Sequence, residues 1–351
     1  AGGGGLLAGG RRPGMTTDAV VEVAGLSRRF DLSQPWLARL LGGAPRLTLK
    51  AVQDVSFTIR RGETLALVGE SGSGKSTIAR LAVGLLQPSD GSVLIDGIDL
   101  SDPAKKAQLA RLRRRIQMIF QDPYASLNPR WRVDRIVAEP IRAFRLASSA
   151  AETAETVAGL LRRVGLDPRD GRKFPHEFSG GQRQRICIAR ALASQPEFIV
   201  CDEPTSALDV SVQAQILNLM KDLQQQDGLT YLFISHNLAV VRHMASRIGV
   251  VYLGRMVELA PARSLFRAPR HPYTRMLLDA LPDLEMTGRP RRMVEGEIPS
   301  PIAPPPGCAF HPRCPLANDR CRSEVPQPLA AGDAQVACHA VEERRDRAAA
   351  A

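Results

Sequence analysis

Two apolar patterns alternate along this chain. In the first, apolar residues take every other place. "VVEVAGLSRRF" (Val20 to Phe30), "VSFTI" (with Val55, Phe57 and Ile59) and "SVLIDG" (Ser92 to Gly97) read as half-buried strands. In the second, apolar residues run almost without a break, in "TLALVG" (Thr64 to Gly69), "EFIVCDE" (Glu197 to Glu203), "TYLFISH" (Thr230 to His236) and "IGVVYL" (Ile248 to Leu253). Such runs suit strands covered on both faces, as in a parallel sheet. Helical periodicity lies between them: in "VAGLLRRVGL", Val157, Leu160, Leu161 and Val164 share one face. Alternating strand and helix predicts an α/β fold. From about Asp122 to Ala193 the pattern is helical only, which predicts a helical insertion. After Pro261 the chain is rich in Pro and Arg, and "PSPIAPPPG" (Pro299 to Gly307) reads as a stiff extended spacer. The Gly/Pro-punctuated segment Asp31 to Pro45, with Trp36, reads as a surface loop or a partner contact.

Composition narrows the setting. The 351 residues allow two domains or one with an appendage, and 44% hydrophobic content supports a substantial core. The net charge of +11 admits nucleic acid, nucleotide phosphates or an anionic membrane surface as partners, and equally plain solvated basic faces. No apolar run approaches the ~20 residues that span a bilayer. "AGGGGLLAGGRRPGM" is not organised as a signal peptide, so residues 1–14 are expected to be a disordered extension before Met15. A cytosolic chain keeps its six Cys reduced, and Cys187 and Cys201 read as packing residues.

The sharpest chemistry sits in "GESGSGKST". Gly69-x4-Gly74-Lys75-Ser76 is the full P-loop pattern, after a buried strand and before the helical "TIARLAVGLL". Gly69, Glu70, Ser71, Gly72, Ser73, Gly74, Lys75, Ser76 and Thr77 are the expected phosphate cradle. Glycines let backbone N–H groups curl around phosphate oxygens at a helix N-terminus. Lys75 is expected to reach the β- and γ-phosphates of ATP, and Ser76 to bind Mg²⁺. At the strand end "CDEP", Asp202 can hold Mg²⁺ and Glu203 can orient or deprotonate the attacking water.

A second glycine run, "FSGGQRQR", raises a different expectation. The turn at Ser179, Gly180 and Gly181, with Gln182, opens its own helix and can face an anion. With the P-loop already committed, its target is the γ-phosphate held by another subunit, so that two subunits sandwich two ATP molecules. A merely capped surface helix is the alternative.

Taken together, these motifs resemble the ATP-binding subunit of ABC transporters over roughly Val20 to His339. Phe178 to Gln182 resembles the family signature, Gln121 in "IFQDPYASLNP" the Q-loop, "SALD" (Ser206 to Asp209) the D-loop, and His236 in "ISHN" the switch histidine. The resemblance implies a P-loop NTPase core with an antiparallel β subdomain, a helical subdomain (about 122–193) and a small Cys-containing C-terminal extension. It places the nucleotide-binding domain at 15–265 and the extension at 266–351. It further implies that Gln121 senses Mg²⁺ and γ-phosphate, that His236 holds γ-phosphate and water, that Asp209 bridges to the partner site, and that Phe30 stacks on adenine. "RHPYTRMLLDALP" (Arg270 to Pro282) and the Cys-containing tail resemble the C-terminal extension of oligopeptide and dipeptide importers, and "PYASLNPR", "FSGGQRQR" and "SALDVSVQAQILNLMKDLQ" resemble their F-type subunit. That implies an ATPase peripheral to the cytoplasmic membrane face, a second homologous ATPase subunit forming a heterodimer, two transmembrane permeases and, indirectly, an external peptide-binding protein. Tyr124, Leu127 and Trp131 are candidate permease contacts, with packing inside the helical subdomain as the alternative. An importer of another solute, such as nickel or an opine, is a second reading. A soluble ABC ATPase acting on nucleic acid is a third, disfavoured because such proteins commonly carry two cassettes in one chain; no nucleic-acid partner is expected.

Cys308, Cys314, Cys321 and Cys338 form C-x5-C-x6-C-x16-C, without the close pairs of a zinc knuckle. Four thiols late in a cytosolic chain suggest metal. The peptide-importer resemblance implies a [4Fe–4S] cluster; zinc, with His311 or His339, and free or disulfide-linked thiols are the alternatives. His311, before Pro312, is expected to be exposed.

Overall fold

The four near-continuous apolar runs become neighbouring strands of one eight-stranded sheet, in a computed structural model that describes residues 18–33, 47–280 and 296–348. The expected N-terminal extension, Met15 and Trp36 lie outside the described residues. In chain order the strands are β1 (Ala19–Asp31), β2 (Thr48–Arg60), β3 (Thr64–Val68), β4 (Asp90–Ile95), β5 (Ile98–Asp99), β6 (Ile116–Ile119), β7 (Phe198–Asp202), β8 (Thr230–Ile234), β9 (Arg247–Tyr252), β10 (Arg255–Pro261), β11 (Leu329–Ala331) and β12 (Ala334–Val336). The large sheet runs β11-β12-β10-β9-β3-β8-β7-β6. It is parallel from β9 to β6 and antiparallel from β9 outward to β11. A second sheet, β2-β1-β4-β5, is antiparallel throughout.

Burial explains why the central strands show no polar alternation. Every residue of β3, β7 and β8 is buried. Leu65, Leu67, Phe198, Val200, Leu232 and Ile234 enter one core, shared with Val21, Val55 and Ile78. Ala66, Val68, Ile199, Cys201, Tyr231 and Phe233 enter the other, shared with Ile136, Leu161 and Ile188 from the helical segment. With both faces packed, neither parity of position faces water. By contrast β2 carries buried Val55, Phe57 and Ile59 between exposed or half-buried neighbours, as its alternation predicts.

Between Asp122 and Ala193 the chain is helical as expected, with helices Pro123–Ser126, Val133–Ala143, Ala150–Arg163 and Gly180–Leu192. Ser149 caps Ala150–Arg163 by accepting from the Glu152 N–H. Val157, Leu160, Leu161 and Val164 are all buried.

Strand β10 and the shorter β6, β11 and β12 were not legible in the pattern. β11 and β12 have three residues each, too few to display a period. Their placement matters, because β12 pairs with β10 (Glu258↔Val336) and so joins the C-terminal residues to the main sheet. The carboxylate of Glu258, 1% exposed, accepts the N–H groups of Arg270 and His271, each at 2.9 Å. Nδ1 of His271 accepts the Tyr273 N–H at 3.0 Å and caps the helix Pro272–Asp279. Tyr252, Tyr273 and Phe310 then pack ring against ring, with centroids 4.7 to 5.4 Å apart. Among the described residues no helix is long and apolar enough to cross a membrane.

The buried His271 makes a pH prediction. Burial, reinforced by Arg275, pushes its imidazole down to about 3. An unfolded histidine takes its proton near pH 6.5, so the unfolded chain binds more protons below that value. Stability is therefore full above about pH 6.5 and falls as pH drops toward 3, by at most about 1.4 kcal/mol per unit from this group. His271→Asn keeps a side-chain acceptor and does not titrate. Urea titrations between about pH 7 and 5 should show a shallower pH slope for this variant than for the parent chain; equal slopes would contradict a neutral His271 cap.

Candidate functional site

Four neighbouring parallel strands end on the same edge of the sheet, and each delivers polar residues there. β3 leads into the loop Gly69 to Gly74, β8 into His236, β7 into Asp202 and Glu203, and β6 into Gln121. The carboxyl edge of a parallel sheet is where α/β folds bind ligands.

The loop after β3 closes tightly on itself. Gly69 and Gly74 have φ of +150° and +101°, and a Cβ on either would fall 2.1 Å from the Val251 carbonyl or 2.3 Å from the Ala51 carbonyl. Only glycine fits these positions. Nζ of Lys75 donates to the carbonyls of Gly69 (2.8 Å) and Glu70 (2.9 Å) and to the Ser73 hydroxyl (3.2 Å). Burial lowers the Lys75 pKa, against the opposing pull of Glu203, Asp202 and Glu70. Ser71 and Gly72 are exposed, and the helix Lys75–Ala82 starts with Ser76 and Thr77 in its first turn. The Ser76 hydroxyl donates to Asp202 Oδ1 at 2.8 Å. Burial raises the Asp202 pKa, and the Ser76 bond opposes that shift. A hydroxyl and a carboxylate are hard oxygen donors, the set that suits Mg²⁺.

Glu203 is gripped at both oxygens. Gln121 Nε2 donates to Oε2 at 3.0 Å, and His236 Nδ1 lies 3.0 Å from Oε1. Glu203 itself has φ of +48°, an uncommon conformation for a side-chain-bearing residue. Its N–H donates to the Ile234 carbonyl at 3.0 Å, and its carbonyl accepts from the Ser206 N–H and hydroxyl. Three residues drawn from β6, β7 and β8 thus meet at one carboxylate.

The second glycine run is elsewhere occupied within this chain. Ser179 Oγ accepts from Gln182 N, and Gln182 Oε1 accepts from Ser179 N, a reciprocal cap on the helix Gly180–Leu192. Ser179 and Gln182 are exposed. Gly181 answers to packing: a Cβ there would meet Val212 at 2.3 Å. Asp209 caps Val210–Asp227 by accepting from Val212 N, and that N–H, with the Ser211 hydroxyl, lowers its pKa. Phe30 lies on β1 opposite Leu49, with the Arg28 guanidinium 4.7 Å above its ring.

Other expectations change. Leu127 is 2% exposed and belongs to the core, so it offers no surface to a partner. Tyr124 is exposed with Arg183 over its ring, and Trp131 is half-buried with Arg135 over its ring. Cys201 and Cys187 are core residues whose thiols burial pushes up, Cys187 to about 12. His311 is half-buried rather than exposed, because it sits in a turn with Nδ1 3.0 Å from the Cys308 carbonyl. His339 is buried with Nε2 on the Glu324 carbonyl.

The four late thiols gather in one region. Cys314 feels Cys338, Cys308 and Cys321 electrostatically, and backbone N–H groups point at Cys308, Cys314 and Cys338. Burial pushes Cys308 to about 11 and Cys314 to about 12. Yet among the described residues no group of three or more His, Cys, Asp or Glu is arranged to hold a metal ion. Neither the iron–sulfur expectation nor the zinc one, with or without His311 or His339, therefore finds a ready-made site there.

One set of contacts at the site had no signal in the sequence. Arg313 bonds both carboxylate oxygens of Glu70, and the Tyr273 hydroxyl accepts the Glu70 N–H at 2.9 Å. Separations of 243 and 203 residues put these pairings beyond any local pattern.

Comparison with known proteins agrees with this arrangement. The family described as ABC transporter matches residues 52–206, and that described as oligopeptide/dipeptide transporter, C-terminal region, matches 257–321. The chain is 51% identical to the probable peptide ABC transporter ATP-binding protein y4tS of Sinorhizobium fredii, covering 92% of this chain and 90% of the relative. It is 49% identical to the di/tripeptide transport ATP-binding protein DppF of Pseudomonas aeruginosa (93% and 99% covered). It is 46% identical to the oligopeptide transport ATP-binding protein AppF of Bacillus subtilis (92% and 97%). Among solved structures it resembles the dimeric post-hydrolysis state of the ATP-binding cassette MJ0796 bound to ADP and Pi, with TM-score 0.60 and 30% identity over 69% of this chain and 99% of that one.

The Ser76–Asp202 bond can be tested without nucleotide. Asp202 is 4% exposed, so Ser76→Ala leaves a buried carboxylate short of a donor. Denaturant titration of the nucleotide-free variant should show a loss of about 1–3 kcal/mol, with Ser76→Thr recovering most of it. An unchanged midpoint would mean the bond carries no weight.

Proposed function

We propose that this chain, which belongs to the ABC transporter family, is the ATP-hydrolysing subunit that powers import of di- or oligopeptides across the cytoplasmic membrane. Its fold is that of an ABC ATPase cassette. The observation that carries the ATPase reading is the meeting of Gln121, Glu203 and His236 on the edge where Lys75, Ser76 and Asp202 also converge. Peptide as cargo is supported by relatives of about this length named for peptide transport and by the match of the C-terminal region.

In this reading Gly69 to Thr77 cradle the triphosphate and Lys75 exchanges its carbonyl partners for phosphate oxygens. Ser76, Asp202 and Gln121 would hold Mg²⁺, which neutralises phosphate charge when bound. Glu203 orients and deprotonates the attacking water, while Gln121 and His236 fix its two oxygens. Phe30 stacks on adenine. Ser179, Gly180, Gly181 and Gln182 reach the γ-phosphate held by a second, homologous ATPase subunit, and Asp209 bridges to that subunit's site. Residues 15–265 form the nucleotide-binding domain, with 122–193 as its helical subdomain, and 266–351 form the extension. Tyr124 and Trp131 face two permeases, which places the chain peripherally at the cytoplasmic membrane face. A peptide-binding protein outside the cell supplies the cargo.

The extension carries a finer part of the proposal, an iron–sulfur cluster on Cys308, Cys314, Cys321 and Cys338, which would have to assemble a site that is not preformed among the described residues. Soft donor chemistry and the N–H groups directed at three of the sulfurs support it. The cluster would add to the β12–β10 pairing in holding the Pro-rich tail. Anaerobically purified protein should carry iron and absorb near ~400 nm. Iron-free protein purified in that way would remove the cluster from the reading.

Replacing Glu203 by Gln should cut ATP turnover by about 10²–10⁴-fold while sparing ATP binding. In the assembled transporter the same variant, with ATP and Mg²⁺, should bring Ser179 within bonding range of a phosphate on the opposite subunit. Turnover unaffected by the substitution would reject Glu203 as the base. Peptide uptake by vesicles carrying the complex should stop with it; uptake that continues would reject the chain as the motor.

A further inference from the structure

We propose that Arg313 is a positioning residue of the ATP site, which fixes and neutralises the carboxylate of Glu70 so that the phosphate loop stays receptive to an anion. The inference rests on nucleotide binding at this loop and is independent of what the transporter carries.

Glu70 is the second residue of the loop, and a carboxylate is an adverse neighbour for a triphosphate. The structure neutralises it from far along the chain. Arg313 Nη1 donates to Oε2 at 2.8 Å and Nη2 to Oε1 at 2.9 Å, the two-pronged geometry that fixes direction as well as charge. The Arg313 side chain is 2% exposed and that of Glu70 20%, so water screens the pair weakly. The guanidinium lies 5.9 Å from the Tyr252 ring centroid and 6.0 Å from that of Phe310, inside the aromatic cluster. The other end of Glu70 is held too, since Tyr273 Oη accepts its N–H. The Glu70 carbonyl is in turn one of the acceptors of Lys75 Nζ. A displaced Glu70 would thus move a Lys75 anchor and bring a free carboxylate to compete with phosphate for that ammonium.

The support of Arg313 is local to the tail. It ends the turn His311–Arg313, between Cys308 and Cys314. Its N–H donates to the Phe310 carbonyl at 3.0 Å, and the Cys308 N–H to the Cys321 carbonyl at 2.9 Å. The thiol-bearing segment therefore presents the arginine that restrains the phosphate loop, and the C-terminal extension is a working part of the ATP site.

The test is a double-mutant cycle on the full chain, reading affinity for a fluorescent ATP analogue and steady-state ATPase. Arg313→Met keeps length and apolar contact but frees Glu70. It should raise Kd and KM for MgATP roughly tenfold with a much smaller change in kcat, and raised salt should shrink the defect. Arg313→Met combined with Glu70→Gln should regain most of the affinity. Arg313→Lys, with charge but a single prong, should fall between, and serves the same cycle should the Met variant not fold. If the unaltered chain binds ATP and Glu70→Gln gives no recovery, Arg313 is only a structural anchor and the inference is overturned. If the unaltered chain binds no ATP, the reading of the loop itself fails, and the inference with it.

Discussion

The phosphate loop can close only because Gly69 and Gly74 carry no side chain where two backbone carbonyls approach. The Val251 carbonyl, on β9, crowds Gly69, and the Ala51 carbonyl, on β2, crowds Gly74. These carbonyls belong to different sheets, so the loop is clasped where the two sheets meet. Lys75 completes the closure by bonding the carbonyls at the start of the loop. The positions of His236, Glu203 and Gln121 are then a question of which strands end beside β3. The parallel order β3-β8-β7-β6 sets His236, Glu203 and Gln121 in line along the same edge.

That order has a cost in local conformation. Glu203 adopts φ of +48°, which side-chain-bearing residues seldom take. The bonds from its N–H to Ile234 and from Ser206 to its carbonyl hold it there. A carboxylate so fixed, and bonded at each oxygen by a residue from a neighbouring strand, has little freedom left to lose on reaction. Mutual capping of Ser179 and Gln182 contrasts with this. Those groups satisfy each other at the surface, and an anion would have to draw the cap apart or bind beside it.

The C-terminal residues change character when seen in three dimensions. Rich in Pro and Arg, they read as an appendage, yet β12 pairs with β10 and Phe310 is 1% exposed within the main core. Glu258, His271 and Tyr273 form a buried polar chain that leads to Glu70 in the phosphate loop. Every link is a hydrogen bond, and those of Glu258 and His271 lie in a dry setting where partial satisfaction is costly. The tail is therefore joined to the nucleotide edge through specific bonds as well as apolar contact.

The sequence by itself determined what depends on neighbours along the chain. Gly69-x4-Gly74-Lys75-Ser76 could be read because loop closure needs those residues at fixed spacing, and β3, β7, β8 and β9 because burial on both faces removes polar positions. The helical stretch from Asp122 to Ala193 was legible through its period, and Ser179 through its capping pattern. Tertiary structure alone decided what depends on distant partners. It decided for Leu127 between the permease contact that the resemblance suggested and packing within the helical segment, burying it, and it paired the three-residue strands β11 and β12, which are too short to show a period. It also set Gln121 and His236 on the two oxygens of Glu203, and Arg313 on Glu70 across 243 residues. Such pairings follow from strand order and packing, and neither leaves a periodic trace in the chain.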